Sequence, residues 1–308
     1  MKKIEICYPN FSKKAITFTL DDGSLGYDKM TMDIVGPHGI KGTFNLCKTE
    51  YEGVSPDELR EHYRGFGIAD HCKLHPYAFA DGEEYCFADH PAEVEERDES
   101  LIYPSSKNEG MYLIHLPRGW RSITTPERYI ELVDEERREL ESVFGEGSVK
   151  DFVWPFGEQR SEKIKAYLKA NYRSVRKTGC TKDATAFDLP EDMYAWSYNA
   201  NHLNLLEIAE LFESYPDDGR LKMFAFGVHS VDFERGGKWD DLRSFAEKYG
   251  DRPEDYWYAT VEEIFDYAEA ADSLVLTDTG VINPSDTPVY ILVDGEGRVV
   301  DGGSSLSL

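Results

Sequence analysis

Short apolar runs alternate with longer amphipathic ones along most of this chain, and that alternation restricts the fold more than any other feature. Residues 15 to 20 read as a strand, residues 27 to 35 as a helix stopped by Gly36-Pro37, and residues 41 to 46 as a second strand. The clearest helix covers residues 126 to 144, where Thr125 can cap it, Pro126 suits its first position and Gly145 ends it. Its apolar side chains Tyr129, Ile130, Val133, Leu140, Val143 and Phe144 share one face, which marks them as core. A strand over 151 to 156, a helix over 161 to 172 and a strand over 174 to 178 continue the pattern. Helices over 203 to 215 and 239 to 249 follow, and Thr260-Val261-Glu262-Glu263 forms a capping box for the last one. Strand and helix repeated in this way, with polar groups at the strand ends, predict an α/β barrel whose catalytic residues gather at the C-terminal strand ends.

Two segments about fifty residues apart carry the chemistry. Thr19-Leu20-Asp21-Asp22-Gly23 closes the first strand, and His71-Cys72-Lys73-Leu74-His75-Pro76 supplies two imidazoles. Neighbouring aspartates at a strand end point in different directions, so one can ligate a cation while the other accepts a proton. Histidines separated by three residues lie one turn apart if the segment is helical, and grip one ion from the same side. Asp22, His71 and His75 then make a set of two nitrogens and one oxygen with positions left for water. That suits one divalent metal in a catalytic role, zinc in the first place, with cobalt, nickel and manganese as alternatives. Taken singly, Asp-Asp-Gly is an ordinary turn and His-x-x-x-His an ordinary coincidence; it is their combination that points to a site.

These segments resemble the polysaccharide deacetylases with the NodB homology domain, carbohydrate esterase family 4. The family's Thr-Phe-Asp-Asp-Gly motif is matched with leucine for phenylalanine, and its His-Ser/Thr-x-x-His-Pro motif with Cys72 for the hydroxyl residue. Lys41-Gly42-Thr43-Phe44-Asn45 is similar to the family's second strand. Val153-Trp154-Pro155-Phe156-Gly157 keeps the Pro-aromatic-Gly of the third motif but has valine where the family's arginine stands. Arg176, on the next strand, is the candidate replacement. Lys222 to His229 reads as a buried strand ending in the histidine that the resemblance makes the general acid.

The resemblance implies a distorted TIM-like (β/α) barrel of about seven strands and hydrolysis of an N-acetyl group, or less readily an O-acetyl group, on a carbohydrate. It implies Asp22, His71 and His75 as metal ligands, Asp21 as general base, His229 as general acid and Arg176 as the group positioning Asp21. The Phe156 backbone N–H is the implied oxyanion donor, with Trp154 and Trp239 as further substrate contacts. Rival readings are a non-catalytic sugar-binding relative, a hydrolase of a non-carbohydrate C–N amide, and a metal phosphoesterase. The last is disfavoured by the few basic residues around the motifs.

The chain has 34 basic and 59 acidic residues, a net charge of −25, which argues against nucleic-acid and anionic-membrane partners and favours a neutral sugar polymer, oligosaccharide or small glycoconjugate. Five cysteines, Cys7, Cys47, Cys72, Cys86 and Cys180, show no knuckle spacing, so free thiols are expected. Met1 to Asn10 has no apolar signal core and no stretch is long enough to span a bilayer, which gives a cytoplasmic location as the expectation. The barrel is expected over residues 1–273, with an irregular insertion at about 77–124 that serves as a lid, a specificity element or a plain loop. His115, Arg118 and Trp120 are its residues best able to touch a sugar. Residues 274–308 read as a small β-rich extension with a hairpin at Asp294-Gly295, packed on the barrel or forming a homo-oligomer contact.

Overall fold

A computed structural model describes residues 2–93, 96–158, 160–180 and 186–308, apart from the side chains of Thr178 and Cys180. Seven strands form the central sheet: β1 (Lys14–Asp22), β2 (Thr43–Leu46), β3 (Gly67–Asp70), β4 (Asp151–Val153), β5 (Ser174–Cys180), β6 (Trp196–Tyr198) and β7 (Lys222–His229). They are ordered β6-β5-β4-β3-β2-β1-β7, and every neighbouring pair is parallel. Just past β6, Ala200 bridges Phe226 of β7 and accepts the Gly227 N–H at 2.9 Å, so the sheet comes round on itself as a nearly closed barrel. An eighth strand, β8 (Tyr256–Tyr258), pairs with the first three residues of β1.

The longer helices include every one that the apolar spacing and the capping box placed, and one more, Pro56–His62, that was not expected. They are α1 (Leu25–Val35), α2 (Pro56–His62), α3 (Pro126–Phe144), α4 (Glu162–Asn171), α5 (Leu205–Ser214), α6 (Trp239–Tyr249) and α7 (Val261–Asp272). Thr125 accepts the Arg128 N–H to cap α3, and Thr260 with Glu263 completes the capping box of α7. Alternate residues of β1 divide between two environments. Ile16, Phe18 and Leu20 join the core under the helices, whereas Thr19 and Asp21 face the barrel interior, where Asn45 bonds both. No helix among the described residues is long and apolar enough to cross a membrane.

Two expectations change. The insertion is organised rather than irregular: Tyr77–Ala78, Gly119–Thr124, Met111–Leu116 and Tyr103–Pro104 form a four-stranded sheet in that order. Its residues 94 and 95 lie outside the described residues. His115 and Trp120 face each other across its hairpin with ring centroids 5.3 Å apart, and Arg118 is exposed at the tip. Asp81 accepts from Ser161 Oγ at 2.6 Å and from the Lys163 N–H at 3.1 Å, latching the insertion to the start of α4. The second change concerns the tail. Val289–Val293 pairs not only with Glu296–Val300 through the Asp294-Gly295 turn but also, antiparallel, with Ile4–Cys7. The first residues therefore belong with the tail sheet rather than the barrel, because a lone hairpin is marginal and a third strand completes it. Ile291 and Val293 pack with Ala15 and Met223, so this sheet covers the end of the barrel where the strands begin.

Candidate active site

At the opposite end, where the strands finish, the polar residues of both sequence segments come together. Asp21 keeps the alternation of β1 and points inward. Asp22 has φ of 77° and Gly23 of 87°, left-handed conformations that turn the second carboxylate away from the first. The following histidines are not on a helix. Cys72, Leu74 and His75 have φ of 59°, 68° and 47°, so His71 to Pro76 is a left-handed turn that folds back on itself. This corrects the helical expectation while keeping its consequence: the two Nε2 atoms lie 3.1 Å apart on one side.

Asp22 Oδ1 is 3.4 Å from His71 Nε2 and 3.5 Å from His75 Nε2. A tetrahedral ion with bonds of about 2.1 Å holds its ligands about 3.4 Å from one another. The Asp22 Oδ1 atom is buried without a hydrogen-bond partner, as an oxygen reserved for a cation would be. His71 Nδ1 lies 2.9 Å from the Val153 carbonyl and donates to it, which leaves the Nε2 lone pair facing the centre. Burial, with His71 beside it, pushes His75 down to about 4, so its ring is neutral at pH 7 and its lone pair is free. Burial opposes ionisation of Asp22, but the adjacent His71 imidazole, with those of His229 and His75, outweighs that and holds its carboxyl well below the usual range. The three residues therefore fit one divalent metal ion, and they are the only such group among the described residues.

Asp21 has a different environment. Its Oδ1 accepts from Asn45 Nδ2 at 2.7 Å and from Arg176 Nη2, and both described hydrogen bonds fall on that one oxygen. Arg176 is fully buried, and its contact with Asp21 crosses the barrel interior, since β5 and β1 are four strands apart in the sheet. Val153 and Arg176 are register partners on adjacent strands, so the guanidinium lies one strand over from the valine and at the same height. Its face lies over the Tyr198 ring at 5.2 Å. Burial would raise the Asp21 carboxyl, but Arg176, with His71 and His229, outweighs it and keeps the group below its usual range.

His229 ends β7 opposite Asp21 in register. Its Nδ1 is 2.8 Å from Asp232 Oδ2, and its Nε2 faces Asp22 Oδ2 at 3.5 Å. Burial lowers the imidazole, but Asp21, Asp22 and Asp232 outweigh it and raise its affinity for a proton. Phe156, with φ of 59°, is exposed at the rim; its ring stacks on Tyr77 at 4.2 Å and meets His75 edge-on at 4.4 Å.

Two expected substrate contacts are corrected. Trp154 is 1% exposed, wedged against Phe152 and Tyr129, and serves packing. Trp239 is 9% exposed, stacked on Phe233 with its Nε1–H donated to Glu234. An indole in either place has its faces covered by protein and offers no platform to a ligand. Sequence reasoning passed over Asn45, Tyr77, Tyr198 and Asp232 as site residues. Asn45 could have been found as a polar side chain inside an apolar strand, and Asp232 as a carboxylate three residues beyond His229. Tyr77 and Tyr198 carry no such local signal.

Residues 9–175 match the family model described as polysaccharide deacetylase. No match was found among curated protein sequences. Among solved structures, the chain is similar to the Xyl-CE4 domain of a multidomain xylanase from the hindgut metagenome of Trinervitermes trinervoides, with 14% identity, a TM-score of 0.48, and 84% of this chain and 92% of that one covered. A polysaccharide deacetylase from Bacillus cereus gives 13%, 0.45, 82% and 93%. A peptidoglycan deacetylase from Bacillus subtilis gives 12%, 0.45, 84% and 95%.

Proposed function

This chain belongs to the polysaccharide deacetylase family, and from that premise we propose that it is a metal-dependent hydrolase removing N-acetyl groups from a carbohydrate. The observation that carries the reading is the unpartnered Asp22 Oδ1 facing two imidazole nitrogens, with a second carboxylate held separately beside it. Asp22, His71 and His75 would hold one divalent cation, zinc by the donor set, and that ion, when bound, would supply Lewis acidity toward the acetyl carbonyl and the attacking water. Asp21 takes the proton of the attacking water on Oδ2, while Asn45 and Arg176 fix Oδ1 and keep the group ionised. The Phe156 N–H is assigned to the developing oxyanion. His229, oriented by Asp232, gives a proton from Nε2 to the departing nitrogen. That assignment favours N-acetyl over O-acetyl substrates, because an amine must be protonated to leave and an alkoxide needs it less. The stacked Tyr77 and Phe156 rings at the rim support a sugar as the group presented.

The test is acetate release from N-acetylglucosamine oligomers by the zinc-loaded protein, before and after chelation. Release abolished by chelator and restored by zinc is expected; no release from N-acetylated or O-acetylated sugars would sink the proposal. Two variants examine the base. Arg176→Met leaves the Asp21 carboxylate buried without its cation and should cost about 3–5 kcal/mol in denaturant unfolding. Unchanged stability would mean that the pair does not hold Asp21. Gly227→Ala places a methyl group 2.2 Å from the Tyr198 ring, which must shift beneath Arg176. Turnover should fall about 10²-fold with zinc affinity unchanged, and undiminished kcat would show that the ring does not set the guanidinium.

A further inference from the structure

Next to the metal-binding turn lies a carboxyl group that takes no part in the proposed chemistry. Asp70 is the last residue of β3, is fully buried, and directly precedes His71. Its Oδ1 accepts the Cys72 N–H at 2.7 Å and its Oδ2 accepts the Tyr172 hydroxyl at 2.5 Å. Tyr172 is itself fixed: its N–H closes α4 on the Leu168 carbonyl, its ring packs on Phe152, and the Arg137 guanidinium lies over it at 5.0 Å.

The turn above these groups is one that side chains resist. Three non-glycine residues, Cys72, Leu74 and His75, are left-handed within four positions. The Cys72 peptide is gripped on both sides. Asp70 takes its N–H, while its carbonyl accepts from the His75 N–H at 3.1 Å and from Cys47 Sγ at 3.3 Å. The Cys72 thiol lies 3.7 Å from the Lys73 carbonyl, a long contact beside the 2.7 Å bond from its N–H to Asp70.

We infer that Asp70, backed by Tyr172, is the positioning residue that sets the metal affinity of this chain. It does so by holding the Cys72 peptide in the left-handed form that brings His75 Nε2 to 3.1 Å from His71 Nε2. This rests on Asp22, His71 and His75 being the metal ligands. With the acceptor gone, the buried Cys72 N–H loses its partner, the turn relaxes toward right-handed φ values, and His75 no longer converges on the other two ligands.

The experiment is calorimetric titration of zinc into the metal-free full chain, for the wild type and for Asp70→Ala, Asp70→Asn and Tyr172→Phe, with a zinc-free thermal melt of each. The wild type should bind about one zinc, as a single three-ligand centre requires. Asp70→Ala should bind about 10- to 100-fold more weakly, the usual effect of removing a group that orients a metal ligand. Asp70→Asn keeps an oxygen for the Cys72 N–H and an amide that donates to the Tyr172 oxygen, so it should stay close to the wild type. Tyr172→Phe should show an intermediate loss. Wild-type affinity in Asp70→Ala, or an Asp70→Asn variant as weak as Asp70→Ala, overturns the inference while leaving the ligand assignment standing. If Asp70→Ala melts too low to titrate, Tyr172→Phe decides: wild-type affinity there overturns the inference. A wild-type chain that takes up no zinc overturns the ligand assignment, and this inference with it.

Discussion

Asp21→Asn is expected to keep zinc and to stop turning over. Both described hydrogen bonds of this residue converge on Oδ1, from Asn45 and from Arg176. An asparagine with its carbonyl oxygen in that place keeps both bonds, and its amide nitrogen replaces Oδ2. The shape of the site is preserved and only the ability to accept a proton is lost. Removal of a positioned general base lowers rates by about 10²–10⁴-fold. Asp22, His71 and His75 are untouched, so zinc should bind with wild-type stoichiometry. The check is kcat for acetate release measured on samples whose zinc content is known. Zinc-loaded Asp21→Asn working within tenfold of the wild type would remove Asp21 from the base role.

His71→Ala, by contrast, is expected to lose metal and turnover together. The His71 ring is buried, contributes one of the two converging Nε2 atoms, and is tied through Nδ1 to the Val153 carbonyl. Its loss leaves Asp22 and His75, one protein ligand short of the three that a catalytic zinc centre uses. The Val153 carbonyl also loses its donor, so nothing in the variant compensates. Calorimetry should show zinc uptake falling from about one per chain to none at micromolar concentrations, and acetate release should fall to the uncatalysed background. Equimolar zinc in His71→Ala would take His71 out of the ligand set. Together the two variants separate holding the ion from using it: one should bind without turning over, and the other should do neither.

Much of the fold could be read along the chain because its determinants are local. The bounds of α3 follow from Thr125, Pro126 and Gly145, and α6 covers the predicted residues. The tail hairpin turns at Asp294-Gly295, where both residues have positive φ, as the dipeptide demands. Errors fell where the partner is remote. Nothing near Ile4 to Cys7 announces that they pair with Val289–Val293, because the register depends on both chain ends meeting under the barrel. Trp154 and Trp239 look in sequence like sugar platforms beside catalytic motifs. Which side of a rim residue faces inward is decided by the elements packed on it, and both indoles are covered.

By itself the sequence determined the alternation of strands and helices, the two aspartates at the end of the first strand, and the presence of three histidines suited to one centre. The elements and aspartates follow from periodicity and capping and the His71–His75 pair from spacing, each acting over a few residues, while His229 was implied by the family resemblance. Only the tertiary structure decided how the two aspartates differ. A left-handed Asp22 turns one carboxylate to the imidazoles, and closure of the sheet brings Arg176 across the interior to the other. It also decided that His71 and His75 meet through a left-handed turn braced from Asp70 rather than along a helix. The division has one physical reason: side-chain direction at a strand end and contact across a barrel depend on strands distant in sequence, and no local pattern encodes them.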